Sequence, residues 1–178
     1  GGPVNASCDI FKIKVTGKSA HVGRPHLGHD ALVTASEIVV ALQTIVSREV
    51  EPGDRAVVGV GKLQAGTRYN IVANDALLEG TIRAFSHTTR AHLKEAVTRI
   101  AQGIAATHRC EAELEWYDAA APVINTPELA ERFQTVAQSV DSIDHIITKY
   151  ELSMGADDFA DYLVDKPGVY GLLGSQSG

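Results

Sequence analysis

Between Ile10 and Tyr117 the hydrophobic period switches from two to ~3.6 and back, and does so twice in the same order. In Ile10–Thr16, Phe11, Ile13 and Val15 fall on one side and Lys12 and Lys14 on the other, as in a half-buried strand. Asp30 to Val46 then places Leu32, Ser36, Val39, Leu42 and Ile45/Val46 on one helical face. Pro52-Gly53-Asp54 breaks that pattern as a turn. Strand-like runs follow at Ala56–Leu63 and Ala76–Phe85, joined by Gln64–Asp75. A second helix, Thr89 to His108, carries Leu93, Val97, Ile100 and Ile104, and Glu111–Tyr117 closes the unit as a strand. This is the split β-α-β motif written twice. It predicts an α+β, ferredoxin-like βαββαβ domain whose four strands form an antiparallel sheet in the order 4-1-3-2, with both helices on one face. The open face must then be covered, paired or polar. Edge strand Ala56–Leu63, with Val57, Val58, Val60 and two glycines, is a candidate for pairing with a second chain.

After Pro122 the pattern changes. Thr126 and Pro127 suit an N-cap and first helical position for a helix bearing Leu129, Phe133, Val136 and Val140. A strand-like stretch at Ile146–Tyr150, a helix near Asp157–Val164 and an apolar run at Val169–Leu173 follow. So few elements make a poor core by themselves, and they read as an α/β piece of something larger.

Several chemistries fail on spacing or charge. Gly59-Val60-Gly61-Lys62 has Leu63 where a phosphate loop needs Ser or Thr, and Ala56 in place of its first glycine. Gly174-Ser175-Gln176-Ser177-Gly178 centres on Gln176, which is no nucleophile. His21, His26 and His29 lie close in sequence but lack the thiolate and carboxylate company of a metal site. A net charge of -6 argues against nucleic-acid partners. No uninterrupted apolar run reaches membrane-spanning length. Cys8 and Cys110 begin neighbouring antiparallel strands, hence lie at opposite sheet ends, and are expected to be free thiols of a cytoplasmic protein.

Two loops carry more. Gly17–Pro25 follows the first strand and Gly66–Ala73 the second. Those strands are parallel in this topology, so His21 and Asn70 emerge at the same end of the sheet. Together an imidazole and a carboxamide can donate hydrogen bonds to a developing oxyanion. Arg83 ends the third strand and so falls at the far end. On the residues alone, a stand-alone dimeric binding or regulatory module of ferredoxin-like fold fits as well.

Gly17-Lys18-Ser19-Ala20-His21 with Pro25, then Gly66-Thr67 with Asn70-Ile71-Val72, then Glu79-Gly80-Thr81-Ile82-Arg83-Ala84-Phe85, resemble the metal-dependent aminoacylase and hippurate-hydrolase-like amidohydrolases. That group sits in the metallopeptidase superfamily of succinyl-diaminopimelate desuccinylase. Met154-Gly155-Ala156-Asp157-Asp158-Phe159, Pro167-Gly168 and Leu172-Leu173-Gly174 are similar to the C-terminal catalytic-domain signature of the same group. Two positions depart from it: Ala73 stands where a proline is usual, and Asp157-Asp158 where Glu-Asp is common.

The resemblance implies a lid or dimerisation domain at residues 8–119 and a segment of a zinc-hydrolase catalytic domain at residues 120–178. It implies hydrolysis of N-acyl amino acids by water activated on two divalent metal ions, zinc by analogy. His21, reached across a homodimer, and Asn70 would polarise the scissile carbonyl, and Arg83 would hold the substrate carboxylate. The metal ligands of such enzymes lie mostly upstream of the lid. This chain is therefore expected to be a fragment that binds no metal, is inactive alone and dimerises through the lid.

Overall fold

A computed structural model describes residues 1–143 and 145–174. Six strands are present: β1 (Gly2–Asn5), β2 (Cys8–Thr16), β3 (Ala56–Ala65), β4 (Asp75–Ala84), β5 (Glu111–Ala120) and β6 (Val123–Asn125). Five α-helices accompany them among these residues: α1 (Ala31–Leu42), α2 (Thr44–Arg48), α3 (His87–Thr107), α4 (Pro127–Gln138) and α5 (Phe159–Asp165). The main sheet runs β3-β4-β2-β5, every neighbour antiparallel, which is the strand order expected from the doubled motif.

Phe11, Ile13 and Val15 of β2, with Leu78 and Ile82 of β4, are fully buried beneath α1 and α3. Phe11 pairs in register with Gly80, and its ring lies where a Cβ at Gly80 would stand. Only glycine admits that ring. Both long helices begin on side-chain caps, Asp30 accepting from Leu32 and Val33 N–H and Ser86 from Thr89 N–H.

The opposite face is polar at its middle and ordered there by charge. Lys62, Glu79, Lys12 and Glu115 stand side by side across all four strands, with Lys62 Nζ 3.1 Å from Glu79 Oε1. Alternating signs across a sheet are favourable cross-strand pairs, so this row needs no apolar cover.

Four expectations are corrected. The helix over Asp30–Val46 divides at Gln43 into α1 and α2, where Gln43 N–H reaches back to Val40 C=O. Its buried face is Ala31, Thr34, Ala35, Ile38, Leu42 and Ile45, not the one through Leu32 and Val46. Small residues on that side let α1 approach the sheet and α3 closely, and Leu32, Val33 and Val40 are left exposed. Thr126 occupies the N-cap of α4 without capping it; its hydroxyl accepts from Gly168 N–H at 3.0 Å instead. Ile146–Tyr150 forms no strand, and the described residues pair with it nowhere.

Beyond the main sheet, β1 and β6 pair antiparallel as a small second sheet. Ala6 N–H donates to Ser153 C=O at 3.0 Å, and Ser153 N–H to Val4 C=O at 3.0 Å. Asn125 exchanges two hydrogen bonds with the backbone of Tyr170. The core here is slight: Ala121, Val123 and Ala160, with Val4, Leu163 and Tyr170 packed on it. α4 buries none of its residues, and Phe133 and Val136 are more than half exposed. Of Gly174–Gly178, all but Gly174 lie outside the described residues. Ala31–Arg48 is apolar on average, with a mean hydropathy of 1.4, but six of its residues fill the main core. Cys8 and Cys110 are both free, and lie at opposite ends of the β2–β5 pair.

Candidate functional site

β2 ends at Thr16 and β3 at Ala65, on the same rim of the sheet. The chains that leave them join. Val22 N–H donates to Asn70 C=O at 3.0 Å, and Val72 N–H to Ala20 C=O at 2.8 Å. His21 and Ile71 are thereby set opposite each other in a short antiparallel bridge. Lys18 and His29 exchange a second pair of backbone bonds, both 2.8 Å, which closes the loop between them. Gly17 fits against His29 C=O with no room for a Cβ, and Gly28 is crowded in the same way by Lys18 C=O and Ala20. Gly17 and Gly28 are therefore packing requirements of this double loop.

The His21 ring is itself held. Gly23 N–H donates to His21 Nδ1 at 3.0 Å. A backbone amide can only donate, so Nδ1 is an acceptor there and the ring proton sits on Nε2. The ring is exposed, and Nε2–H is free to meet a ligand. Asn70 is half-buried at the turn before Ile71.

Arg83 is not in this group. β4 runs back toward the other rim, and from Asp75 to Arg83 it climbs ~27 Å. There Arg83 Nη1 donates to Met154 C=O at 3.3 Å, linking the sheet to the segment that bridges Asn5. The structure thus brings His21 and Asn70 to one rim and Arg83 to the opposite one within the chain.

That opposite rim holds a cluster the sequence analysis did not single out. Asp9 is fully buried on the helix-facing side of β2. Arg90 grips both its oxygens at 2.7 Å, a bidentate pair, and Lys94 Nζ lies 3.0 Å from Oδ1. Asp118, the register partner of Asp9 on β5, bonds Lys94 and lies 3.5 Å from Arg90. The hydrogen bond from Lys94 holds the Asp118 carboxyl below its ordinary range, and the bonds to Asp9 raise Arg90 above its ordinary value. A shallow groove between α3 and β5, lined by Lys94, Thr98, Trp116 and Asp118 among others, opens beside this cluster and not beside His21.

Asp157 is also committed. Its two oxygens accept from Phe159 N–H and from the Tyr170 hydroxyl, both at 2.9 Å, which starts α5 and raises the Tyr170 pKa. Among the described residues no group of three or more His, Cys, Asp or Glu is placed to hold a metal ion. His21, His26 and His29 therefore do not form such a site.

Residues 10–109 match the peptidase dimerisation domain family. The N-acetyl-L-cysteine deacetylase of Bacillus subtilis is 33% identical over 174 residues, 98% of this chain and 41% of that protein. The N-acetyldiaminopimelate deacetylase of a Geobacillus species is 38% identical over 176 residues, 99% of this chain and 46% of that protein. A dinuclear metal binding peptidase of the M20 family from Bacillus subtilis superposes with a TM-score of 0.74 at 30% identity, covering 94% of this chain and 40% of that one. The chain spans less than half the length of each of these relatives.

Proposed function

The chain belongs to the M20 peptidase family, and from that premise we propose that it serves a metal-dependent amidohydrolase that cleaves N-acyl amino acids. In this assignment residues 8–119 are the lid and dimerisation domain, and residues 120–178 part of the catalytic domain. The exposed apolar side chains of α4, Phe133 and Val136, agree with a segment that packs against further protein. Similarity over nearly the whole chain, beyond the doubled β-α-β unit, favours this reading over a stand-alone regulatory module.

The observation that carries the proposal is the bridge between Ala20–Val22 and Asn70–Val72, which delivers His21 and Asn70 to one rim. When an amide carbonyl is attacked, charge gathers on its oxygen, and preorganised donors stabilise it. His21 Nε2–H, with its ring held by the Gly23 amide, is a donor of that kind, and the Asn70 carboxamide is assigned as the second. The described residues do not fit the two metal ions, zinc in this assignment, which are therefore assigned to other residues of the enzyme.

Arg83 is assigned the substrate carboxylate. Its separation from His21 within one chain means that the two reach one substrate only from different subunits of a homodimer. The dimer contact is assigned to the free edge of β3. Val57 and Leu63 are exposed there, and Leu32, Val33 and Val40 of the neighbouring α1 continue the apolar surface. Free Cys8 and Cys110 agree with a cytoplasmic setting.

The test is hydrolysis of a panel of N-acetyl amino acids by the full-length enzyme with its metal. His21→Ala or Asn70→Ala should lower kcat by ~10²–10³, the loss expected for one oxyanion donor. The 178-residue chain alone should show no turnover. Absence of N-acyl amino acid hydrolysis by the full-length enzyme, or unchanged kcat in both variants, overturns the assignment.

A further inference from the structure

Gly23 meets the imidazole of His21 through its backbone amide. Its amide N–H donates to Nδ1 at 3.0 Å. A Cβ placed on it would lie 3.1 Å from Nδ1 and 3.4 Å from Cε1. Its backbone does not have the positive φ that calls for glycine, and the imidazole is all that such a Cβ would meet within 4 Å. The loop on either side is fixed by the bond from Val22 N–H to Asn70 C=O and by that from Arg24 N–H to His21 C=O at 2.7 Å. The amide of Gly23 is thus aimed by bonded neighbours on both sides.

We propose that Gly23 is a positioning residue: its amide fixes His21 as the Nε2–H tautomer, so that the imidazole presents a hydrogen-bond donor, and not a base, to the group it meets. The chemistry follows from the two nitrogens. With Nδ1 occupied as an acceptor, the outward Nε2 carries the proton and cannot accept one from a nucleophilic water or hydroxyl. A donor suits a carbonyl or oxyanion oxygen. The role of that donor in amide hydrolysis rests on the function proposed above, whereas the tautomer itself does not.

The experiment is ¹⁵N-resolved NMR of the histidine rings in this chain at about two pH units above the usual His value of ~6.5, where neutral rings dominate. The exposed His26 and His87 serve as internal references. The ratio of Nε2–H to Nδ1–H forms at His21 should exceed theirs about fivefold, the worth of one ordinary hydrogen bond. Gly23→Ala keeps the amide proton and should keep the bias, with the ring displaced slightly. Gly23→Pro removes the proton and should bring His21 to the reference ratio. A His21 ratio equal to that of His26 and His87 in the unaltered chain overturns the proposal, whether or not the proline variant folds. So does a bias that survives in a folded Gly23→Pro. Should the bias be found while His21→Ala leaves hydrolysis by the full-length enzyme unchanged, the tautomer is confirmed and the catalytic assignment of His21 falls instead.

Discussion

Replacing Arg90 by methionine keeps an unbranched apolar stem on α3 and removes only the guanidinium. Asp9, fully buried, then loses both 2.7 Å bonds and keeps Lys94 at 3.0 Å. Stranding one partner of a buried ion pair costs ~3–5 kcal/mol. The surviving lysine places the expected loss at the lower end, ~3 kcal/mol, a large share of the ~5–15 kcal/mol that holds a domain folded. At a typical urea slope of ~2 kcal/mol/M, the midpoint falls by ~1.5 M. Trp116, the only tryptophan, sits edge-on to Phe11 at 5.6 Å with Lys94 Nζ 5.3 Å from its ring centre, so its emission follows this end of the sheet. The double variant Asp9→Val/Arg90→Met removes both charges and should recover most of the lost midpoint, because the penalty is the unpaired charge and not the missing pair. A single-variant loss under ~1 kcal/mol, or a double variant that is worse than Arg90→Met, would refute the view that buried Asp9 depends on its pair with Arg90.

Gly80→Ala puts a Cβ 2.2 Å from Phe11 Cζ and 2.4 Å from the Gly59 carbonyl oxygen, one of them backbone; it should cost ~3 kcal/mol by urea titration, and Phe11→Leu in the same chain should restore part of it. Val57→Lys on the β3 edge should shift the chain to monomer in sedimentation velocity while leaving its far-UV spectrum intact, because like charges then meet across the contact; an unchanged dimer would move the interface elsewhere. Asp118 has a folded pKa below its unfolded one, so its stabilisation is present above the ordinary carboxylate range and is lost as pH falls through the lower, folded value. Asp118→Asn should therefore flatten the acid limb of the urea midpoint between about pH 2 and pH 7, and an unaltered limb would contradict the Lys94 contact.

Where an element's side chains alternate between core and solvent, the pattern in the chain announced it. β2, β4 and α3 are of this kind, and with their order known the strand directions placed His21 and Asn70 at one rim and Arg83 at the other. The face of α1 was less legible because that helix is apolar on two sides: close approach selected Ala31, Thr34 and Ala35 for the interior, although Leu32 and Val33 are the larger apolar residues. β1 and β6 escaped notice for another reason. They are four and three residues long, begin at glycine and proline or follow one, and gain their pairing from a partner some hundred and twenty positions away. The contact between Gly23 and the imidazole depends on loop conformation and left no periodic trace.

The buried cluster was open to detection and shows what the far rim does. Asp9 stands two residues before Phe11 on the inward side of a period-two strand, where an acid demands a partner, and Arg90 and Lys94 are four apart on one face of α3. An apolar trio would have been at least as stable there. What an apolar trio lacks is direction. Asp9 lies two residues beyond Ser7 and Asp118 two residues before Ala120, so the bidentate Arg90 and the shared Lys94 fasten both strands that cross to the second sheet onto a single helix. Ser7 adds to this, its backbone N–H donating to Ala84 C=O at 2.7 Å and its hydroxyl accepting from Ala84 N–H at 3.2 Å, one residue beyond Arg83. The two crossing strands, the Arg83–Met154 contact and the ion cluster therefore share one charged rim. The loops that present His21 and Asn70 occupy the other, tied to each other by backbone bonds, where a ligand can reach them.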